Sequence, residues 1–291
     1  MILVTGATGN LGKATINSLL NKGVPPNDIT VLVRDKNKAS ELKLKGLQIS
    51  VGDYQDIGSL MNAFKGIDKL LLISSSSDII YRLRQHKNVI DAAKQSGVNH
   101  LIYTGFAMKD LKLSSMHKDV DYHAYTTDYL KQTGVPYTVM NNTMYADMVP
   151  IIGGKDILKN GISIPAEDGK VPFLPITEMA EALAAVLTTP GHEFKEYVIA
   201  AEKAYSFAEI AVMLSEITGA SVTYNPVKLT SYVSQLVQLG VSQDDAEYIS
   251  RYAVAMAKGE FEINKSDIQL LIGRSPIRLK DFLTSIYGTS K

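Results

Sequence analysis

The first half of the chain alternates short, nearly unbroken apolar runs with longer stretches carrying apolar residues at helical spacing. The runs ILVT (2–5), ITVLV (29–33), LQISV (47–51), KLLLIS (69–74), HLIYT (100–104) and YTVMN (137–141) predict strands, and helices are expected near 10–22, 39–45, 57–64, 80–96 and 123–133. Strands that are apolar throughout are covered on both faces, so this alternation predicts an α/β fold with a doubly wound parallel sheet. Ligands of such sheets bind outside the carboxyl ends of the strands.

After Asn141 the rhythm changes. Pro and Gly punctuate PIIGG and GISIPAEDGKVPFLP, and a helix near 177–188 with a strand YVIAA (197–201) is expected to return to the main sheet. SFAE (206–209) has the spacing of a capping box and predicts a helix to about Thr218. Helices near 229–239, 242–258, 266–272 and 279–287 complete a smaller, mainly helical C-terminal lobe over the cleft. The expected division is a sheet domain at 1–146, rejoined by 176–201, and a lobe at 147–291.

Composition narrows the function classes. The 291 residues are 45% hydrophobic, enough for a sizeable core, and 30 Lys plus Arg balance 30 Asp plus Glu. No global field therefore favours nucleic acid or an anionic membrane surface. The chain has no cysteine, which excludes disulfides, thiol nucleophiles and thiolate metal sites. It opens on a strand, MILVTG, and no apolar run approaches the ~18 residues of a spanning helix. A soluble cytoplasmic protein that binds no metal is expected.

GATGNLGK (6–13) stands between the first strand and the first helix. Gly6 would make the tight turn, Gly9 would admit a pyrophosphate to the backbone, and Gly12 would let helix and strand pack. The helix N-terminus then points free amides at phosphate, as in a Rossmann-type fold. With Thr8, Asn10 and Leu11 in the same turn, a dinucleotide site is expected here. An NAD site usually offers an acid after the second strand, but VLVRD places Arg34 first. A guanidinium favours a 2′-phosphate, so NADPH is the expected cofactor and NADH the weaker alternative. Asp53 and Tyr54 after the third strand would serve the adenine. Ser74 and Ser75 after the fourth, with Tyr103 and Thr104 on the fifth, would approach the ribose or nicotinamide.

Taken together, GATGNLG, VLVRD, GDY, LLLIS, QHKNVIDAAKQSGVNHLIYTG (85–105) and GVPYTVMNNTMY (134–145) resemble the NmrA-like branch of the atypical short-chain dehydrogenases. Within it the chain is most similar to the type 2 NAD(P)H:quinone oxidoreductases and the triphenylmethane reductases. The wider superfamily reduces substrates with Ser, Tyr and Lys. The resemblance implies that Gly105 stands at or beside the Ser position, and His123 and Thr127 where Tyr and Lys would be. The pair at that spacing in YNPVK, Tyr224 and Lys228, lies far down the chain and reads as coincidence.

The missing acid constrains the substrate. A ketone reduced by hydride becomes an alkoxide about as basic as hydroxide (water's pKa is ~15.7) and calls for a proton at that moment. A reduced quinone is phenol-like, nearer the ~10 of tyrosine, so a few hydrogen bonds suffice. The expected activity is hydride transfer to quinone-like or other flat apolar acceptors. His123 and Tyr145 are the candidate catalytic residues, and Phe106, Met108, Asn141, Met144, Tyr145 and Phe173 the candidate acceptor-binding residues. The alternative from another class is a non-catalytic NAD(P)-binding sensor that regulates through partner proteins, for which a closed nicotinamide pocket would speak.

Overall fold

Seven apolar segments form one all-parallel sheet in the computed structural model, which describes residues 1–153 and 156–288. They are β1 (Ile2–Val4), β2 (Ile29–Val33), β3 (Gln48–Val51), β4 (Lys69–Leu72), β5 (His100–Phe106), β6 (Tyr137–Asn142) and β7 (Lys195–Ile199), in the order β3-β2-β1-β4-β5-β6-β7. Ile2 pairs with Ile29 on one side and Lys69 on the other. The winding direction therefore reverses between β1 and β4, and a crevice opens at their carboxyl ends.

Helices cover both faces. On one, α1 (Asn10–Asn21), α2 (Ser40–Leu44) and α8 (Ile176–Thr188) share a core with the sheet, Ile16 and Leu19 meeting Leu183 and Leu187. On the other lie α3 (Ile57–Ala63), α4 (Ile79–Gln95) and α5 (His117–Thr133), whose Leu60, Val89 and Leu130 pack on Leu70, Leu101 and Val139. β7 pairs with β6, so segment 176–201 lies in this layer. The short α6 (Val149–Gly153) and α7 (Ile157–Asn160) lead to it.

The lobe is built from α9 (Phe207–Thr218), α10 (Leu229–Gln238), α11 (Gln243–Ala257) and α13 (Leu279–Tyr287) around Phe173, Phe207, Met256 and Phe261. Ser206 and Glu209 form the expected capping box: Ser206 Oγ accepts from the Glu209 amide at 3.2 Å and Glu209 Oε2 from the Ser206 amide at 2.9 Å. The helix near 266–272, expected in the lobe, instead becomes α12 (Ile268–Ile272) on the main layer. The Asp267 amide donates to Val198 O at 2.7 Å and Asp267 Oδ2 accepts from the Val198 amide at 2.8 Å, covering the free edge of β7.

The second departure concerns α5, which starts at His117 rather than near 123. Its first turn depends on a distant contact: the Glu260 carboxylate holds the Ser114 hydroxyl and the Ser115 amide, and Ser114 Oγ accepts from the Met116 amide at 3.1 Å. Local sequence carries no sign of that partner. His123 consequently sits in the helix interior, buried, and not at a solvated helix start. Among the described residues no helix is long and apolar enough to cross a membrane.

Candidate functional site

Glycine shapes the first half of the site. Gly6 adopts φ +59°, and its carbonyl accepts from the Gly9 amide at 3.0 Å. A Cβ at Gly12 would overlap the Gly6 carbonyl oxygen, so only glycine lets α1 start this close to β1. No side chain caps α1 and no acid stands in its first turn. Its amides face a cleft of about 720 Å³ lined by Gly6, Thr8, Gly9, Asn10, Leu11 and Gly12. An uncapped helix end of this kind fits a pyrophosphate.

The cleft continues along the sheet edge past Arg34, Asp53 and Tyr54 to Ser74 and Ser75. Arg34 is exposed and makes no ion pair among the described residues, whereas its neighbours are engaged: Asp35 Oδ1 accepts from the Asn37 amide at 2.9 Å, and Lys13 lies 3.7 Å from Glu41. Tyr54 presents its ring but commits its hydroxyl to Thr5 Oγ1 at 2.5 Å, and Asp53 Oδ1 accepts from the Gln55 amide at 2.8 Å. Gln85, Asp147 and Met148 also line the cleft and were not anticipated.

Tyr103 and Thr104, expected at the cofactor, do not line this cleft. Side chains alternate along β5, so Tyr103 points into the core beneath α4 and α5, fully buried, and Thr104 faces a second, contiguous cavity of about 370 Å³. The two hollows share Ile73, Ser74, Tyr145 and Met148. An acceptor in the second would therefore lie against the end of a dinucleotide in the first. Thr104 fixes that junction, its Oγ1 accepting from the Ser74 amide at 2.9 Å.

Phe106, His123, Met144 and Tyr145, the residues expected at the acceptor, all line this second cavity, together with Gly105. Three expected residues do not. Asn141 and Met108 line a separate cavity of about 360 Å³ with Thr127, because Asn141 and Asn142 project from opposite faces of β6. Phe173 is in the lobe core, edge-on to Phe207. In place of Asn141 the cavity receives Asn142 and Thr143, whose Oδ1 and Oγ1 are buried without partners among the described residues. The lobe contributes Tyr232, Tyr248, Tyr252 and Met256. Tyr248, Tyr252 and Met256 recur every four residues, a stripe legible in the sequence but not distinguishable there from core packing.

His123 is held in one protonation form. Burial, then the nearby His86 and Arg82, push its pKa well below the usual imidazole value, so the ring is neutral. The Ser75 amide donates to His86 Nε2 at 3.0 Å, which makes His86 Nδ1 the donor to Thr126 Oγ1 at 2.9 Å. The Tyr103 hydroxyl and His123 Nδ1 lie 2.8 Å apart in a hydrogen bond whose direction follows the His123 tautomer. Phe106 stacks on the imidazole with ring centroids 5.7 Å apart. Tyr145 is protonated as well, burial pushing its pKa up to about 12.

Tyr224 lines neither hollow. Its hydroxyl lies 3.1 Å from Ile164 O and 3.0 Å from Glu167 O, where it fastens a lobe loop. Among the described residues no group of three or more His, Asp or Glu is placed to hold a metal.

The sequence model of the NmrA-like family matches residues 1–270. Quinone oxidoreductase 2 of Escherichia coli is 32% identical over 291 residues, covering 100% of both chains. The crystal structure of the Citrobacter sp. triphenylmethane reductase complexed with NADP(H) superposes with a TM-score of 0.92 at 37% identity, covering 98% of this chain and 99% of that one. The NADPH complex of the E. coli quinone oxidoreductase gives 0.91 at 31% identity, covering 99% and 100%.

Proposed function

The chain belongs to the NmrA-like family, and from that premise we propose that it is an NADPH-dependent reductase transferring hydride to quinone-like or other flat apolar acceptors. The observation that carries this reading is the contiguity of the two hollows at Ser74 and Tyr145. A dinucleotide whose pyrophosphate lies on the α1 amides and whose 2′-phosphate meets Arg34 would bring its hydride-donating end to the acceptor cavity. NADP(H) complexes of the Citrobacter and E. coli relatives support that choice of cofactor. The bound cofactor supplies the hydride, and the protein supplies shape and hydrogen bonds.

The acceptor cavity suits a planar ring system. Phe106, Met144, Tyr145 and the lobe tyrosines supply flat apolar walls, and His123, in the tautomer that carries its proton on Nε2, is a neutral donor for an oxygen that gains charge. Gly105 and His123 stand on its wall where the superfamily's Ser and Tyr are expected, and Thr127 faces another cavity. The reaction accordingly proceeds without the familial triad. The open cavity beside the cofactor's end favours this reading over the dinucleotide sensor, which has no use for an acceptor space.

Following NADPH absorbance with quinones, triarylmethane dyes and aliphatic ketones tests the proposal. Quinones should be reduced and simple ketones should not. Tight NADPH binding without reduction of any quinone or dye would replace the reductase with the sensor.

A further inference from the structure

Tyr122, absent from the sequence expectations, is a hydroxyl on the acceptor cavity's wall that is hydrogen-bonded to a guanidinium. It precedes His123 on α5, its ring 4.2 Å from the imidazole by centroid. Arg82 Nη1 donates to the Tyr122 hydroxyl oxygen at 2.9 Å, and the guanidinium carbon stands 5.2 Å from the Tyr122 ring centroid. Arg82 is itself anchored by Nε to Ser77 O at 2.6 Å. The guanidinium fills the acceptor side of the phenol, and among the described residues the Tyr122 hydroxyl donates to nothing. A free hydrogen on a buried, cation-bound phenol is a donor waiting for an acceptor.

Ser74 adds the third part. It lines both hollows, at the junction where a hydride would pass, and its Oγ is buried beside the Tyr122 and Tyr103 hydroxyls without completing a hydrogen bond to either. Among the described residues no carboxylate lines the acceptor cavity. The charge bonded to its wall is therefore positive, and its field reaches Tyr103, His123 and Tyr252 as well.

We propose that Tyr122 is the catalytic hydrogen-bond donor to the acceptor oxygen, that Arg82 is its positioning and charge-stabilising partner, and that Ser74 is a second hydrogen-bond donor to the same oxygen. This rests on the reductase reading and deepens it. The set contains Ser, Tyr and a cation, yet it comes from the end of β4, the second turn of α5 and the first turn of α4, not from the familial positions. In the step, hydride carries two electrons to the acceptor, the carbonyl π pair moves onto oxygen, and that oxygen is held by the Tyr122 hydrogen bond until solvent supplies its proton. Arg82 keeps the phenol oriented and stabilises the charge meanwhile. The sum is acceptor plus hydride plus one proton. The same charge selects substrate: neutral or anionic oxygen acceptors are favoured and cationic dyes are disfavoured.

The test compares Tyr122→Phe, Arg82→Met and Arg82→Lys with the parent on quinones of graded hydroquinone acidity and on a cationic triarylmethane dye, which needs hydride alone. Tyr122→Phe should lower kcat on quinones about tenfold or more, increasingly so as the hydroquinone becomes more basic, and change dye reduction less than about threefold. Arg82→Met should follow it on quinones and quicken the dye, and Arg82→Lys should restore much of the loss. In cofactor-free protein, 4-nitrophenol serves as an oxyanion mimic whose absorbance reports its ionisation. It should bind as phenolate to the parent, more weakly to Tyr122→Phe, and as neutral phenol to Arg82→Met. Equal losses on quinones and dye, or unchanged quinone rates, overturn the assignment while the reductase reading stands. A parent protein that reduces no quinone overturns both.

Discussion

The carboxamide oxygen of Asn141 occupies the space into which a side chain at Gly105 would grow. Val139 Cγ1 closes the same space from behind, 3.1 Å from that Cβ position. The two residues pair across β5 and β6, so register brings them together, and a side chain at 105 needs the Asn141 carboxamide to turn away. Where the superfamily's serine is expected, this protein has filled the volume from the neighbouring strand.

Gly105→Ser should therefore destabilise the protein, by about 1–3 kcal/mol as an overpacked site, without conferring ketone reduction. Asn141→Ala should relieve much of that cost. Denaturant unfolding of both single variants and the double variant measures the coupling, and additive losses would show that Asn141 is not the obstacle.

Arg34→Ala should weaken NADPH roughly ten- to hundredfold, the value of one charge-assisted contact of about 1.5–3 kcal/mol. NADH, which has no 2′-phosphate, should bind nearly as before. Titration of both cofactors against both proteins decides this, and equal weakening would assign Arg34 to the fold.

His123→Phe should cost quinone reduction less than ~10²-fold, the low end for a positioned acid or base. The imidazole is neutral well below its usual range, so quinone turnover should show no histidine limb between pH 6 and 8. A simple ketone reduced by the parent and lost in this variant, with NADPH still bound, would make His123 the missing acid.

Acid should destabilise the fold through buried imidazoles. Burial and Arg82 lower His86 to about 3, and burial lowers His100 to about 4, from ordinary values near ~6.5 in the unfolded chain. Between those limits the unfolded state binds more protons, so stability rises with pH. It is fully present above pH ~6.5 and falls by about 1.4 kcal/mol per pH unit for each ring on acidification toward 4. His86→Gln should flatten that slope, measurable by urea unfolding from pH 7 to 4.5.

Tyr224→Phe should leave kcat unchanged while costing about 0.5–1.5 kcal/mol, because its hydroxyl ties a lobe loop and touches neither hollow. A hundredfold loss of kcat with the fold intact would move the active site.

The alternation of apolar runs and helical patterns determined the sheet, its parallel sense and the position of the cofactor cleft, since each is a consequence of local order along the chain. GATGNLGK and Arg34 were legible for the same reason: a turn between a strand and a helix carries its geometry in a few adjacent residues. The acceptor cavity was not. Whether Asn141 or Asn142 faces it depends on pleat phase and β5–β6 register, and whether Tyr103 meets cofactor or core depends on what α4 and α5 place above it. Tyr122 and Arg82 lie 40 residues apart and meet only because those two helices pack side by side. The lobe tyrosines close the cavity only after α10 and α11 fold across it. Periodicity reports which face of an element is apolar, and only tertiary packing decides what that face meets.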